Sequence, residues 1–414
     1  MKTVAAISTP RGKGGVAMIR ISGDTAYDVA KKVFEPKFAK KADDIKPNSA
    51  IYGKFFDENG VFDDGIAIFY CAPKSFTGEN TVELCCHGGL LVTQKLLETA
   101  IAAGADYAAA GEFTKRAFIN GRLTLSEAEA VGGIIDAKSE AYLKTSLLQL
   151  DGALSRKINV VFGKLSFLAA SVYAYIDYPD EDLTDVSAEE MKVMLQNILE
   201  ELELLYKTRN YGKAISEGIS TAIVGRPNTG KSSVLNFLAG EECAIVTDIE
   251  GTTRDVVTEQ VKIGNVILNL ADTAGIRKSD DLVEKIGISR SLERIEKSEI
   301  IFLVLDGDIT PEDQEIIKLI KQNKKQSKTI VLYNKSDINM PKLQGMFENE
   351  VAFSAKTGSG RSELEKMTAK LCGESECSDI GTVITSARQF ASIKKAKEAI
   401  LEAIKSLDGF TQEI

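Results

Sequence analysis

Gly225-Arg226-Pro227-Asn228-Thr229-Gly230-Lys231-Ser232 is the stretch on which the reading of this chain turns. Its glycines let backbone N–H groups wrap a phosphate, Lys231 neutralises the terminal phosphates, and Ser232 offers a hydroxyl to magnesium. A β-branched apolar run at 219–224 precedes it, and a helical run follows. At average glycine usage the bare pattern arises by chance in roughly 1% of chains of this length, and the strand–loop–helix setting lowers that further. An ordinary turn is a poor explanation.

Three more segments follow in the order a GTPase requires. Asp272-Thr273-Ala274-Gly275 closes a predicted strand at 266–271, setting a carboxylate over the magnesium shell and a glycine N–H near the γ-phosphate. Asn334-Lys335-Ser336-Asp337 follows a strand at 329–333. Asp337 there accepts two hydrogen bonds from the guanine ring N–H and amino group, which adenine does not offer. Ser354-Ala355-Lys356 follows the last strand, 351–354, and closes over the base. Where Ras-like proteins carry a water-orienting glutamine this chain has Ile276, so hydrolysis needs another source of charge and water positioning. Gly251-Thr252-Thr253-Arg254-Asp255 reads as a first switch, with Thr253 completing the magnesium shell. Asn228 stands where its carbonyl can hold a monovalent cation against the phosphates. Glu284, in a second switch at 277–288, is on residue type alone an ordinary surface acid.

Further out, 414 residues at roughly 150 per domain predict two or three domains. The 44% hydrophobic and 27% charged content fits a core-forming chain, and a net charge of −9 excludes a general polyanion binder. No run approaches the roughly 20 apolar residues of a membrane helix, and the start breaks too early for a secretory signal. Six scattered cysteines suit a reducing cytoplasm. His87 is the single histidine, so histidine-based acid–base chemistry is not expected, and Cys85-Cys86-His87 lacks nearby partners for a metal.

The fold class predicted is multidomain α/β plus α. Residues 1–118 alternate short strands (17–21, 51–56, 65–70, 82–86) with helices such as 90–103. Residues 119–216 read as helical, with capping boxes at Ser126-Glu127-Ala128-Glu129 and Ser187-Ala188-Glu189-Glu190. The second opens a helix whose Met191, Met194, Leu195, Ile198, Leu202 and Leu205 share a face. Residues 217–379 return to alternating β and α, predicting a mostly parallel sheet, and 380–414 are helical again. The simplest architecture inserts the α/β domain into a helical one.

Taken with Arg11-Gly12-Lys13-Gly14-Gly15-Val16, Ile19-Arg20-Ile21-Ser22-Gly23, Ser75-Phe76-Thr77-Gly78-Glu79, His87-Gly88-Gly89, Gly111-Glu112-Phe113-Thr114 and Tyr178-Pro179-Asp180-Glu181, these motifs make the chain resemble the MnmE (TrmE) family of tRNA-modification GTPases over essentially its whole length. The resemblance implies an N-terminal folate-binding and dimerisation domain, a helical domain and an inserted Ras-like P-loop GTPase domain. It implies a homodimer, no membrane association, and potassium-stimulated GTP hydrolysis when two GTPase domains meet. The cation falls to Asn228, Thr247, Ile249 and Thr252, within a nucleotide-contacting stretch that includes Asp248 and Glu250. Glu284 becomes the water-positioning group, with Arg254 and Asp255 also placed in the catalytic set. With the flavin-dependent partner MnmG, such proteins install an aminomethyl or carboxymethylaminomethyl group on the wobble uridine of tRNA. The one-carbon unit comes from a 5-formyl-tetrahydrofolate-like cofactor held by Arg20, Glu83 and Arg122. The family's terminal Cys-x-Gly-Lys has no counterpart up to Ile414. The expectation is therefore retained GTP hydrolysis, incomplete modification activity, and apolar surface bared on the helical domain. An RNA-binding ribosome-assembly switch of the Era type is the alternative from a different class, since the same phosphate chemistry serves both.

Overall fold

The computed structural model describes residues 2–37, 48–177, 186–240, 259–270, 287–338 and 345–410. They form two compact units, Met1–Val131 and Gly132–Ile414.

The first unit runs β1 (Val4–Ile7), β2 (Val16–Ser22), α1 (Ala26–Val33), β3 (Phe34–Pro36), β4 (Ser49–Asp57), β5 (Gly60–Tyr70), β6 (Thr81–His87), α2 (Leu90–Ala102), β7 (Asp106–Tyr107), α3 (Glu112–Ile119) and the start of α4 (Leu125–Ile135). Its seven strands are ordered β3-β4-β5-β6-β2-β1-β7, antiparallel apart from the β1–β7 pair. Alternation along the strands sends Ala17, Ile19, Ile21, Val82 and Leu84 into a core with Val29, Ala30, Leu96 and Ala100 of the two helices. Arg20, Glu83 and Tyr70 are left on the opposite face. The first capping box lies two residues earlier than predicted. Thr124 Oγ1 accepts from the Glu127 N–H (3.3 Å), while Glu127 Oε2 accepts from the Thr124 N–H (2.8 Å). Glu127 sits three residues after Thr124, the spacing the box requires, so Ser126 falls inside the helix.

The second unit continues α5 (Glu140–Leu150), α6 (Ala153–Asp177), α7 (Ala188–Lys207), α8 (Arg209–Ser216), β8 (Ile219–Val224), α9 (Lys231–Gly240), β9 (Glu259–Ile263), β10 (Val266–Leu270), α10 (Gly287–Lys297), β11 (Ile300–Leu305), α11 (Pro311–Gln322), β12 (Thr329–Tyr333), β13 (Asn349–Ala352), α12 (Arg361–Leu371) and α13 (Ala387–Phe410). The sheet order is β13-β12-β11-β8-β10-β9, all parallel except the β9–β10 hairpin, whose edge strand the sequence reading did not anticipate. Ile223, Phe302 and Leu332 face α9 and α12, while Ala222, Val224 and Leu303 face α10 and α11. Both faces being covered explains the unbroken apolar runs of β11 and β12. β8 has β11 on one side and β10 on the other, so the strand order reverses there, and open α/β sheets hold ligands beyond the carboxyl ends of strands at such a point.

The capping box at Ser187 and Glu190 is present on α7, whose Leu195, Ile198, Leu202 and Leu205 pack with Leu154, Val161 and Leu168 of α6 and Ile393 and Ile400 of α13. The chain leaving the sheet is fastened onto helices that precede it: Gln149 Nε2 donates to the Val383 carbonyl at 2.6 Å and the Ile384 N–H to Thr208 Oγ1 at 3.0 Å. Among the described residues no helix is long and apolar enough to cross a membrane.

Candidate functional site

The loop at 225–230 leaves β8 at its carboxyl end and delivers Lys231 to the first turn of α9. Two residues hold backbone conformations that shape it: Gly230 has φ of +90° and Asn228 has φ of +64°, a left-handed conformation unusual for a residue with a Cβ. Thr229 is fully buried and donates its hydroxyl to the Arg226 carbonyl at 3.1 Å. The same carbonyl accepts Lys231 Nζ at 2.7 Å. Burial lowers the Lys231 pKa to about 8, helped by the nearby cations Arg294 and Arg226. Asn228, Ser232 and Ser233 are exposed around the loop.

Asn334, directly after β12, joins the loop at 225–230 to the segment at 354–356. Its Nδ2 donates to the Thr229 carbonyl (2.9 Å) and its Oδ1 accepts from the Ala355 N–H (3.2 Å). Lys335, at φ +60°, reaches the Asn228 carbonyl (3.1 Å) and the Asp306 carboxylate (2.6 Å). Asp337 is exposed and accepts the hydroxyl of fully buried Ser354 at 2.7 Å, a bond that holds its carboxyl below the usual aspartate range. Ser354 thus aims an ionised Asp337 outward. Lys356 is exposed beside it. The structure therefore brings together Asn228, Thr229, Gly230, Lys231, Ser232, Ser233, Asn334, Lys335, Asp337, Ser354, Ala355 and Lys356 at one end of the sheet. Thr247, Asp248, Ile249, Glu250, Gly251, Thr252, Thr253, Arg254, Asp255, Asp272, Thr273, Ala274, Gly275 and Glu284 lie outside the described residues.

In the first unit Arg20 and Glu83 are directly opposite on β2 and β6 and form an ion pair, Nε to Oε1 at 2.9 Å and Nη2 to Oε1 at 2.8 Å. Tyr70 donates to the other Glu83 oxygen at 3.2 Å. Phe76 and Phe113 lie against the guanidinium, with ring centroids 5.1 and 5.5 Å from its carbon. Arg122 is exposed and borders the loop carrying Phe76, its stem beside Gly78. Sequence reasoning missed Tyr70, Phe76 and Phe113 as walls of this face; the spacing of Arg20 and Glu83 on strands was the available signal. Behind the loop, buried Arg116 bridges Glu79 (3.0 Å) and Glu112 (2.7 Å), and Glu79 accepts from Ser22 at 2.7 Å. His87, which sequence reasoning set aside, has its Nδ1 2.7 Å from Asp63, a contact that raises its pKa. Burial pushes the neighbouring Cys86 thiol up to about 11.

A glycine-rich loop at the head of a doubly covered, mostly parallel sheet, tied through Asn334 to the Ala355 backbone beside the Ser354–Asp337 pair, is the arrangement of a P-loop GTPase domain. The family described as the GTP-binding protein TrmE N-terminus matches residues 3–122, and that described as the MnmE helical domain matches residues 125–414. The tRNA modification GTPase MnmE of Clostridioides difficile (strain 630) is 38% identical over 98% of this chain and 90% of its own length. That of Caldicellulosiruptor saccharolyticus is 41% identical over 100% of this chain and 91% of its own. Among solved structures, the G domain of the T. maritima FeoB iron transporter is 23% identical over 37% of this chain and 98% of its own, with a TM-score of 0.27. The chain belongs to the MnmE (TrmE) family of tRNA-modification GTPases, which decides against the Era-type alternative.

Proposed function

We propose that the chain hydrolyses GTP at the end of the six-stranded sheet as the GTPase component of wobble-uridine modification in tRNA, working as a homodimer with a flavin-dependent MnmG-type partner. The observation that carries this reading is the Asn334 junction, which spans 2.9 Å to the phosphate loop and 3.2 Å to the base-closing segment. Lys231 exchanges the Arg226 carbonyl for the terminal phosphates, Asp337 reads the guanine edge, and Ala355 and Lys356 close over the ring. Asp272, Thr273, Ala274 and Gly275 form the γ-phosphate side, and Glu284 orients the attacking water, with Arg254 and Asp255 in the first switch. Ser232 and Thr253 would hold a magnesium ion, which would neutralise phosphate charge, and Asn228, Thr247, Ile249 and Thr252 would hold a potassium ion, which would supply the positive charge an arginine finger gives elsewhere. The exposed, left-handed Asn228 fits a ligand role of that kind.

In the same reading, residues 1–118 form the folate-binding and dimerisation domain, 119–216 with 380–414 the helical domain, and 217–379 the inserted GTPase domain. Arg20, Glu83 and Arg122 bind a 5-formyl-tetrahydrofolate-like cofactor. The flat walls of Phe76 and Phe113 beside an acid and a base suit a pterin ring and a carboxylate tail. The test is turnover in matched potassium and sodium chloride with Asn228→Ala beside the native chain. The expected result is much faster hydrolysis in potassium, lost in the variant; equal rates in both salts would remove the cation from the mechanism.

A further inference from the structure

The phosphate loop contains an arginine, Arg226, four residues ahead of Gly230. An arginine so close to bound phosphates invites the reading of a finger supplied by the chain itself. Its contacts point the other way. Nε donates to Asp313 Oδ2 at 3.1 Å and Nη2 to the Asp306 carbonyl at 2.5 Å. Asp313 is 1% exposed, and its Oδ2 also accepts the Thr310 N–H (3.1 Å) and hydroxyl (2.9 Å) in the capping box that opens α11. The guanidinium is thus fixed to the start of a helix packed on the sheet.

From that anchor the loop is bracketed on both sides. The Arg226 carbonyl holds Thr229 and Lys231, Pro227 fixes the next φ, and Asn228 then takes its left-handed turn. The Asn228 carbonyl is held by Lys335, which is itself paired to the carboxylate of Asp306. Asp306 therefore holds Arg226 through its main chain and Lys335 through its side chain.

We propose that Arg226 and Asp313 form a strut that positions the phosphate loop for hydrolysis, holding Pro227 and Asn228 in place without touching nucleotide. Arg226 is a positioning residue and not a finger. The inference rests on the nucleotide reading above and adds residues that reading does not use.

The experiment is a double-mutant cycle of Arg226→Gln, Asp313→Asn and the pair, with Arg226→Lys as a milder variant. It measures GDP affinity, kcat and the potassium concentration for half-activation. Each single variant is expected to lower kcat and raise the potassium midpoint by about tenfold, the scale of one charge-assisted contact. The pair should lose no more than either single, and Arg226→Lys should recover part of the loss because it keeps the charge but not the fork. GDP affinity should fall by less than kcat. A finger would show otherwise: Asp313→Asn would leave kcat intact or raise it, and either Arg226 variant would abolish activation. That result overturns the strut, as do independent, multiplying losses or unchanged midpoints with only a lower melting temperature. Failure of the native chain itself to bind GDP would instead overturn the nucleotide reading.

Discussion

Lys231 gives the sharpest prediction because its free-state environment opposes the charge it needs. Burial and two nearby cations set its pKa at about 8, against the ordinary 10.5. That gap corresponds to about 3 kcal/mol against the ammonium at neutral pH. In the unfolded chain the lysine stays protonated up to its ordinary value, so between about pH 8 and 10.5 the folded state binds fewer protons. Its contribution to stability therefore rises with pH across that window. Phosphates reverse the balance by favouring the ammonium, so binding must draw in a proton wherever the free lysine has lost one. The expected uptake per GDP is about one-tenth of a proton at pH 7, about half at pH 8 and about three-quarters at pH 8.5. Calorimetric titration in two buffers of different protonation enthalpy measures it, and GDP itself is already ionised at the upper two values. Lys231→Arg, which keeps its charge throughout, should bind more weakly and show no rise in uptake. Uptake that is flat with pH, or that persists in Lys231→Arg, would falsify the argument.

Other expectations follow from single contacts. Ser354→Ala removes the hydroxyl that holds Asp337 at 2.7 Å and should weaken GTP binding by about tenfold, read by competition against ATP and xanthosine triphosphate. Glu83→Gln leaves the half-buried Arg20 guanidinium without its charge partner; thermal melting of the first unit should drop, and affinity for a formylated tetrahydrofolate should fall in equilibrium titration. Gly212→Ala sets a Cβ against the Ile384 carbonyl, where α8 meets the chain returning from the sheet, and should destabilise the helical core by about 1–3 kcal/mol in urea unfolding.

Much of the nucleotide site was legible because each segment carries its chemistry in a short local pattern after a strand. Lys231, Asn334 and Asp337 needed only a strand end before them, and β8 and β12 provide it. What the sequence hid was long-range. Arg226 and Asp313 stand 87 residues apart, and nothing local marks their pairing, although Thr310-Pro311-Glu312-Asp313 carries a visible helix cap. Tyr70 reaches Glu83, and Phe76 and Phe113 reach Arg20, from three separate segments, so strand spacing could indicate a polar pair but not its walls. β9 escaped for a different reason. It is a short edge strand whose partner lies across a two-residue Gly264-Asn265 turn, a signal outweighed by the parallel β/α alternation around it.

In the nucleotide site long-range contacts and left-handed backbone coincide, which bears on how the site works. Of the non-glycine residues with positive φ among those described, Asn228 and Lys335 both lie in the nucleotide site, and the side chain of one holds the carbonyl of the other. Left-handed geometry costs on the order of 1 kcal/mol at each, and the half-buried lysine adds more. Such a loop persists only if its surroundings fix it, and Asp306, Asp313 and Asn334 do so from three neighbouring elements. The free protein thus carries an unfavourable charge and a turned backbone before any nucleotide arrives. Binding relieves the charge through the phosphates, while the turned backbone is already formed and adds nothing to the cost of binding. Removing the opposed charge should then raise the stability of the free protein and abolish its chemistry, the reverse of what removing an ordinary structural contact does. Lys231→Met provides that measurement: a higher melting temperature for the free chain together with lost GTP turnover supports this division of cost, and a lower melting temperature refutes it.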